Sequence, residues 1–308
     1  MANIAVLMAT YNGENYIESQ IQSILQSTIN NKIYISDDGS TDSTLKKIQN
    51  FKNKNIEIIC QSKKGSSSKN FFSLIKNFPE CEIESFDYFA FSDQDDLITK
   101  THYENSIKLL KENKAELCGS STINIDIQGA TINEINYDLT NTEYSHLVEG
   151  LAPGFTFVFT KKIFTLFREK LLENDIPEVF WHDWLLYSFC IESGHKVLSK
   201  KTGDVFYRQH GENLTGSRKS TQGLFQRFTK IIDNFYLEQI IKVSIALKRL
   251  TGKKNLVYRI LHNESNLIEK LDFLFKSRRR IQDRFAISYV LLNLMLNAKK
   301  LKLTFIEE

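Results

Sequence analysis

The sequence predicts an α/β fold, a mostly parallel sheet with helices on both faces, followed by a purely helical C-terminal extension. Three observations predict it. Over roughly the first 120 residues, apolar runs of strand length alternate with segments whose apolar residues recur at helical spacing. The runs are apolar at nearly every position, as strands covered on both faces must be. From Gly223 onward only helical spacing remains.

The elements follow in order. Ile4 to Ala9 reads as a buried strand. Tyr16 to Gln26, with Ile17, Ile21, Ile24 and Leu25 on one side, reads as a helix. Lys32–Ile35 is a second strand, Leu45–Phe51 a helix, Ile56–Cys60 a third strand and Asn70–Asn77 a helix. Phe86–Phe91 is a fourth strand and Thr101–Asn113 a fourth helix. The middle is less regular, with strands near Ala115–Ile123 and Phe155–Thr160 and helices at Lys161–Leu172 and His182–Glu192. Asn124–Glu149 is polar and reads as loop. Leu224–Leu250, Leu256–Lys276 and Ile281–Leu301 read as three helices. The polar tract from Gly211 to Gly223 is the expected boundary between a catalytic body, 1–215, and a helical region, 216–308. In a parallel sheet with right-handed crossovers, ligands sit at the carboxyl ends of the strands. Attention therefore falls on the loops after Ala9, Ser36, Cys60 and Phe91.

Bulk properties narrow the class. At 308 residues, 42% apolar and 25% charged, the chain has ample material for a core. A net charge of +3 makes no strong overall electrostatic demand, and no nucleic-acid partner is expected. Cys60, Cys81, Cys118 and Cys190 form no CxxC pair, which argues against a zinc site or disulfide scaffold and for reduced thiols in the cytoplasm. The N-terminus has no signal-peptide pattern, and the longest apolar run, Phe285–Leu296, is too short to span a bilayer.

Three motifs carry chemistry. Ser92-Asp93-Gln94-Asp95-Asp96 follows the aromatic run FDYFAF. Three carboxylates within four residues repel one another unless a cation sits among them, and oxygen ligands suit Mg²⁺ or Mn²⁺. Helix capping would explain one or two of these acids but not three. Ile35-Ser36-Asp37-Asp38-Gly39-Ser40-Thr41-Asp42 ends the second strand. A carboxylate there can accept from the imide NH of a base, although the same residues make a good turn and N-cap. Thr10-Tyr11-Asn12-Gly13-Glu14-Asn15 after the first strand serves equally as nucleotide contact or as turn.

Taken together, ATYNGENYIESQIQSIL, ISDDGSTDST and FSDQDD resemble the family 2 glycosyltransferases, which have the GT-A type fold. The resemblance covers roughly residues 3–215. It implies that Ala9, Thr10 and Tyr11 line a nucleotide pocket, that Asp37 or Asp38 (Asp38 is favoured) contacts the base, and that Asp93 and Asp95 form the DxD element with Asp95 as direct metal ligand. Gly65 and Asn70-Phe71 upstream, with the SDQDD variant, resemble a branch that builds bacterial surface polysaccharides such as O-antigen and capsule, where dTDP-rhamnose or UDP-hexose is the donor. Asn70 joins the nucleotide-binding set on that basis. The family's acidic pair at a later helix start corresponds to His182-Asp183, so the first acid is replaced. Asp183 keeps the carboxylate that would deprotonate the acceptor hydroxyl and give inversion; as a plain N-cap it would need no such role. The same resemblance assigns His210 to the metal shell, Arg208 to the departing diphosphate and Gly154 to the acceptor side. Trp181 and Trp184 would stack on a sugar or simply pack in the core.

Two other classes compete. A sugar nucleotidyltransferase also uses metal-binding carboxylates, but it usually has a basic phosphate loop, and TYNGEN has no basic residue. A non-catalytic membrane-associated scaffold would show no metal-dependent nucleotide binding. In the tail, Arg278, Arg279, Arg280, Arg284, Lys299 and Lys300 lie in sequence beside FAISYVLLNLML. This reads either as a helix pair packed on the body or as a peripheral contact with anionic membrane. The expected acceptor is a saccharide, lipid-linked, at the inner face of the cell membrane.

Overall fold

The computed structural model describes residues 2–137, 143–210, 234–277 and 281–305. Its first strand shows why both faces must be covered. In β1 (Asn3–Thr10) the side chains of Ala5, Leu7 and Ala9 enter one apolar cluster, while Ile4, Val6 and Met8 enter another. Successive strand side chains point to opposite faces, so a run with no polar member needs helices on each side.

Among the described residues the sheet has nine strands. They are β1, β2 (Asn30–Asp37), β3 (Ile56–Gln61), β4 (Tyr88–Ser92), β5 (Leu97–Ile98), β6 (Leu117–Ile125), β7 (Thr131–Ile135), β8 (Val158–Thr160) and β9 (Val197–Arg208). The order is β3-β2-β1-β4-β8-β6-β9-β5, with β7 on β6. β3, β2, β1 and β4 are mutually parallel; β8 opposes β4 and β6, β6 and β9 are parallel, and β5 and β7 oppose their partners. Six strands therefore share one direction, and the carboxyl ends of β1, β2, β4, β6 and β9 open on the same edge.

Helices cover the two faces. Cluster membership and element contacts put α3 (Ser67–Asn77), α5 (Lys161–Glu173) and α6 (His182–Glu192) on the Leu7 face, and α1 (Ile17–Leu25), α2 (Thr44–Asn50) and α4 (His102–Asn113) on the Val6 face. α7 (Phe235–Thr251), α8 (Leu256–Leu261), α9 (Leu267–Lys276) and α10 (Ile281–Phe305) follow. α7 packs on α5 and α6, so the Leu7-face core continues into the C-terminal helices. No helix among the described residues is long and apolar enough to cross a membrane.

Several segments differ from expectation for identifiable reasons. Leu256–Lys276 is two helices, because Asn263 adopts a left-handed backbone (φ 56°) and Asn266 caps the next helix through a capping box with Glu269. Phe155–Thr160 divides into a 3-10 turn, Gly154–Thr156, and the short β8. The polar stretch after Asn124 contains β7, which pairs with β6. The twelve-residue β9 escapes sequence patterning because Lys200 and Asp204 interrupt it; the two pair with each other in the interior. Of the expected helix Leu224–Leu250, the structure gives Phe235–Thr251. The rest of it, the 211–223 tract and the arginines at 278–280 lie outside the described residues.

Candidate active site

Four strand ends are tied into one surface. Thr10 Oγ1 donates to Asp37 Oδ2 at 3.0 Å, and Asp37 also accepts from the amides of Gly39 and Ser40. Asp38 donates its amide to the Thr10 carbonyl and accepts from the amides of Lys64 and Gly65. Asn70 reaches from α3 to accept from Ser36 Oγ at 2.5 Å and to donate to the carbonyls of Ser36 and Thr10. Asp37, Asp38 and Asn70 are all buried. They hold the β1 and β2 ends in register, whatever else they touch.

Gln94 joins the β4 loop to the β1 loop. Its amide accepts from Tyr11 N and donates to Tyr11 O, both at 2.9 Å. A Cβ at Gly13 would collide with that same amide, so only glycine allows the approach. Tyr11 itself is left 52% exposed at the edge. Gln20 of α1 donates to Ser92 Oγ at 2.8 Å, and Ser92 donates to the Asp93 carbonyl. Sequence reasoning missed Gln94 and Gln20, since neither glutamine has a motif of its own.

The acidic segment turns at this edge. His210 Nε2 lies 2.8 Å from Asp95 Oδ2, and the imidazole stacks on Tyr16 at 5.1 Å. Asp96 is buried; its Oδ1 accepts from Arg208 N at 3.0 Å, while its Oδ2 has no partner. Burial, with Asp95 and Asp93 nearby, pushes the Asp96 carboxyl well up. Asp93 is pushed up to about 8 by burial, then by the charges of Asp95 and Asp183. The segment thus carries more carboxylate than the protein neutralises. Among the described residues, no three His, Cys, Asp or Glu groups converge as a closed metal site. Such a deficit suits an open one, in which substrate oxygens supply the remaining ligands.

Arg208 closes the far side. Its guanidinium donates to the carbonyls of Asp95 and Ile127, at 3.1 and 3.2 Å, and lies 5.3 Å over the Tyr16 ring. It is buried and locks the β6–β7 turn to the acidic loop.

Asp183 stands in the first turn of α6. It accepts from the amides of Trp184, at 2.8 Å, and Gly154. Burial outweighs those bonds and raises its carboxyl to about 6. Its charge adds, after burial and Asp95, to the upward push on the Asp93 carboxyl. His182 is buried, stacks on Phe71 at 3.8 Å, and is held neutral by burial, its imidazole pushed down to about 3. Gly154 is as close as chemistry permits, since an added Cβ would lie 2.7 Å from Asp183 Cβ and 3.0 Å from His182 Nε2. Trp184 is buried, donates to the His146 carbonyl at 2.7 Å and stacks on Tyr236. Trp181 sits among Phe180, Phe235 and Tyr236. Both indoles pack α6 against α7.

A mostly parallel sheet whose strand ends carry a polar loop network, an acidic turn and a separate carboxylate is the arrangement of a GT-A type fold. The chain belongs to glycosyl transferase family 2, whose profile matches residues 5–174. It is 33% identical over 297 residues to the dTDP-rhamnosyl transferase RfbG of Shigella flexneri, covering 94% of this chain and 99% of that protein. It is 26% identical over 218 residues to an uncharacterized glycosyltransferase of Haemophilus influenzae, covering 68% of this chain and 80% of that one. Among solved structures it resembles S. aureus TarS 1–349 in complex with UDP-GlcNAc, with a TM-score of 0.55 and 15% identity over 97% of this chain and 91% of that one. The chain is a family 2 glycosyltransferase.

Proposed function

We propose that this enzyme transfers rhamnose, or a related hexose, from a nucleoside diphosphate sugar to a saccharide hydroxyl in one inverting displacement, within surface polysaccharide synthesis. The similarity to a dTDP-rhamnosyl transferase over nearly the whole of both chains supports the donor class. Catalysis belongs to residues 1–215, with 216–308 as a helical support. The nucleotide lies against Ala9, Thr10 and Tyr11, with Asp38 toward the base and Asp37 and Asn70 keeping the pocket's shape.

Asp95 and His210, with Asp93 close by, would hold a divalent cation, Mn²⁺ or Mg²⁺. When bound, such an ion offsets the charge of the departing diphosphate. The unpartnered Asp96 Oδ2 and the raised Asp93 carboxyl are the observations that favour a cation here. Arg208 keeps Asp95 and the β6–β7 turn in place. Asp183 takes the acceptor proton as the hydroxyl oxygen attacks the anomeric carbon, on the face away from the diphosphate. Gly154 leaves room on the acceptor side.

The observation that carries this reading is the placement of Asp183 in the first turn of α6, held by the amides of Trp184 and Gly154 and pressed against Gly154, with burial raising its carboxyl to about 6. General bases work best with a pKa near the working pH. The test is incubation with dTDP-rhamnose and a panel of UDP-hexoses, with the product anomer read by NMR. Metal-dependent transfer with inversion supports the proposal, and a retained configuration overturns it.

A further inference from the structure

We infer that Gln239 and Tyr236 of α7 are positioning residues for Asp183, so that the C-terminal helical region completes the acceptor side of the site; the inference rests on Asp183 acting as the base. Asp183 stands in the first turn of α6, whose N-cap is Trp181. An indole has no oxygen to cap a helix, and no side-chain bond fixes this one. The aim of the first turn is then set by whatever holds the chain on either side of it.

Before the helix, Phe180 donates its amide to Gln239 Oε1 at 2.7 Å. Gln239 is 3% exposed, an uncommon place for an amide side chain. Arg249, also on α7, donates to the Asp175 carbonyl in the same entering loop at 2.8 Å. Beside the helix, the 3-10 turn Ser145–Leu147 is tied to α6 through the His146 carbonyl, which accepts from Trp184 Nε1 at 2.7 Å and Ser188 Oγ at 2.6 Å. The His146 ring meets Glu192, at the far end of α6, at 2.8 Å. Tyr236 holds that turn in place. Its hydroxyl donates to the Val148 carbonyl at 2.6 Å, and its ring stacks on Trp184. One helix thus grips both the loop that enters α6 and the turn that flanks it. The nucleotide contacts proposed above come from other elements, so loosening either grip should shift the base against the acceptor and leave the donor pocket alone. A displacement of about 1 Å costs on the order of a hundredfold in rate.

The test is steady-state kinetics on the full chain, well below each variant's melting temperature, with dTDP-rhamnose or the UDP-hexose that turns over in its place, and with donor affinity measured by calorimetry. Tyr236→Phe removes one hydroxyl and keeps the ring over Trp184. Gln239→Met removes the acceptor oxygen and fills a similar volume. Each should lower kcat by about tenfold or more, with donor Kd within about twofold. Ser244→Ala is the control: it breaks a buried bond of the same helix, to Asn255 at 2.7 Å, and should lower the melting temperature with kcat unchanged. Three outcomes overturn the inference: unchanged kcat in both Tyr236→Phe and Gln239→Met, a parallel loss of kcat and donor affinity, or an equal fall of kcat in Ser244→Ala. Asp183→Asn, run alongside, separates the positioning role from the reading beneath it. Full transfer by that variant removes the base itself, whereas lost transfer there with normal rates in both α7 variants removes only the positioning role.

Discussion

Asp95 Oδ2 and His210 Nε2 are 2.8 Å apart although 115 residues separate them in the chain. The contact closes the acidic loop after β4 onto the end of β9 and sets a carboxylate oxygen beside an imidazole nitrogen, the pair proposed above to hold a divalent ion. If that is its purpose, Asp95→Asn and His210→Ala should each weaken nucleotide binding in Mn²⁺ more than in its absence. At a nucleotide concentration a hundredfold above Kd, bound ligand stabilises the fold by about 2.7 kcal/mol. Most of the corresponding thermal shift should vanish in both variants; an unchanged shift removes the pair from the metal site.

With Asp183 as the proposed base, the rate is expected to depend on pH. A base must be ionised to accept a proton, so kcat should fall as pH drops through about 6, roughly tenfold per unit. A flat profile down to about pH 5 would mean that another group accepts the proton.

The same shift has a cost in stability. A carboxyl raised in the folded state favours folding most below its unfolded value, near 3.8, and loses that advantage as pH rises through about 6. At pH 8 Asp183 is thus held as a charge that folding disfavours, by about 1–2 kcal/mol once its partial exposure is allowed for. Asp183→Asn should therefore raise the melting temperature at pH 8 and leave it little changed at pH 4. Denaturation followed at both pH values checks this.

Gly154→Ala tests the fit around the base. The new methyl would force Asp183 or His182 aside. A displacement of this size costs on the order of a hundredfold in kcat, while nucleotide affinity should stay within about twofold.

His182→Glu puts a second carboxyl next to Asp183, where burial now holds a neutral imidazole. Like charges raise each other's pKa. The acid limb of the rate profile should move to higher pH, whereas His182→Phe, which retains a ring over Phe71, should leave the limb where it is.

How much of this was legible in the sequence depended on how locally each feature is encoded. Ile4 to Ala9 announces a strand buried on both faces because each side chain is apolar and each has a helix over it. Asp93 and Asp95 stood out because carboxylates crowded at a strand end repel one another, whereas Asp183 stood out only through the family resemblance, since an acid heading a helix is an ordinary cap. β9 was hidden because Lys200 and Asp204 look like surface residues until they are seen paired inside. The anchoring of Tyr11 by Gln94 spans 83 residues and leaves no local trace. Sequence could not say whether Trp184 faces a sugar or the core, since an indole serves either; its bond to His146 O and its burial decide for the core. Asp37, Asp38 and Asn70 likewise looked like ligand contacts or turn formers, and each does hold the strand ends together.

The most direct measurement is made on Asp183→Asn, with donor binding followed by calorimetry and sugar transfer followed by product formation in the same Mn²⁺ buffer. The account predicts donor affinity within about twofold of the unaltered enzyme and transfer lowered by about a thousandfold or more, in line with removal of a general base. Full transfer by that variant would contradict it.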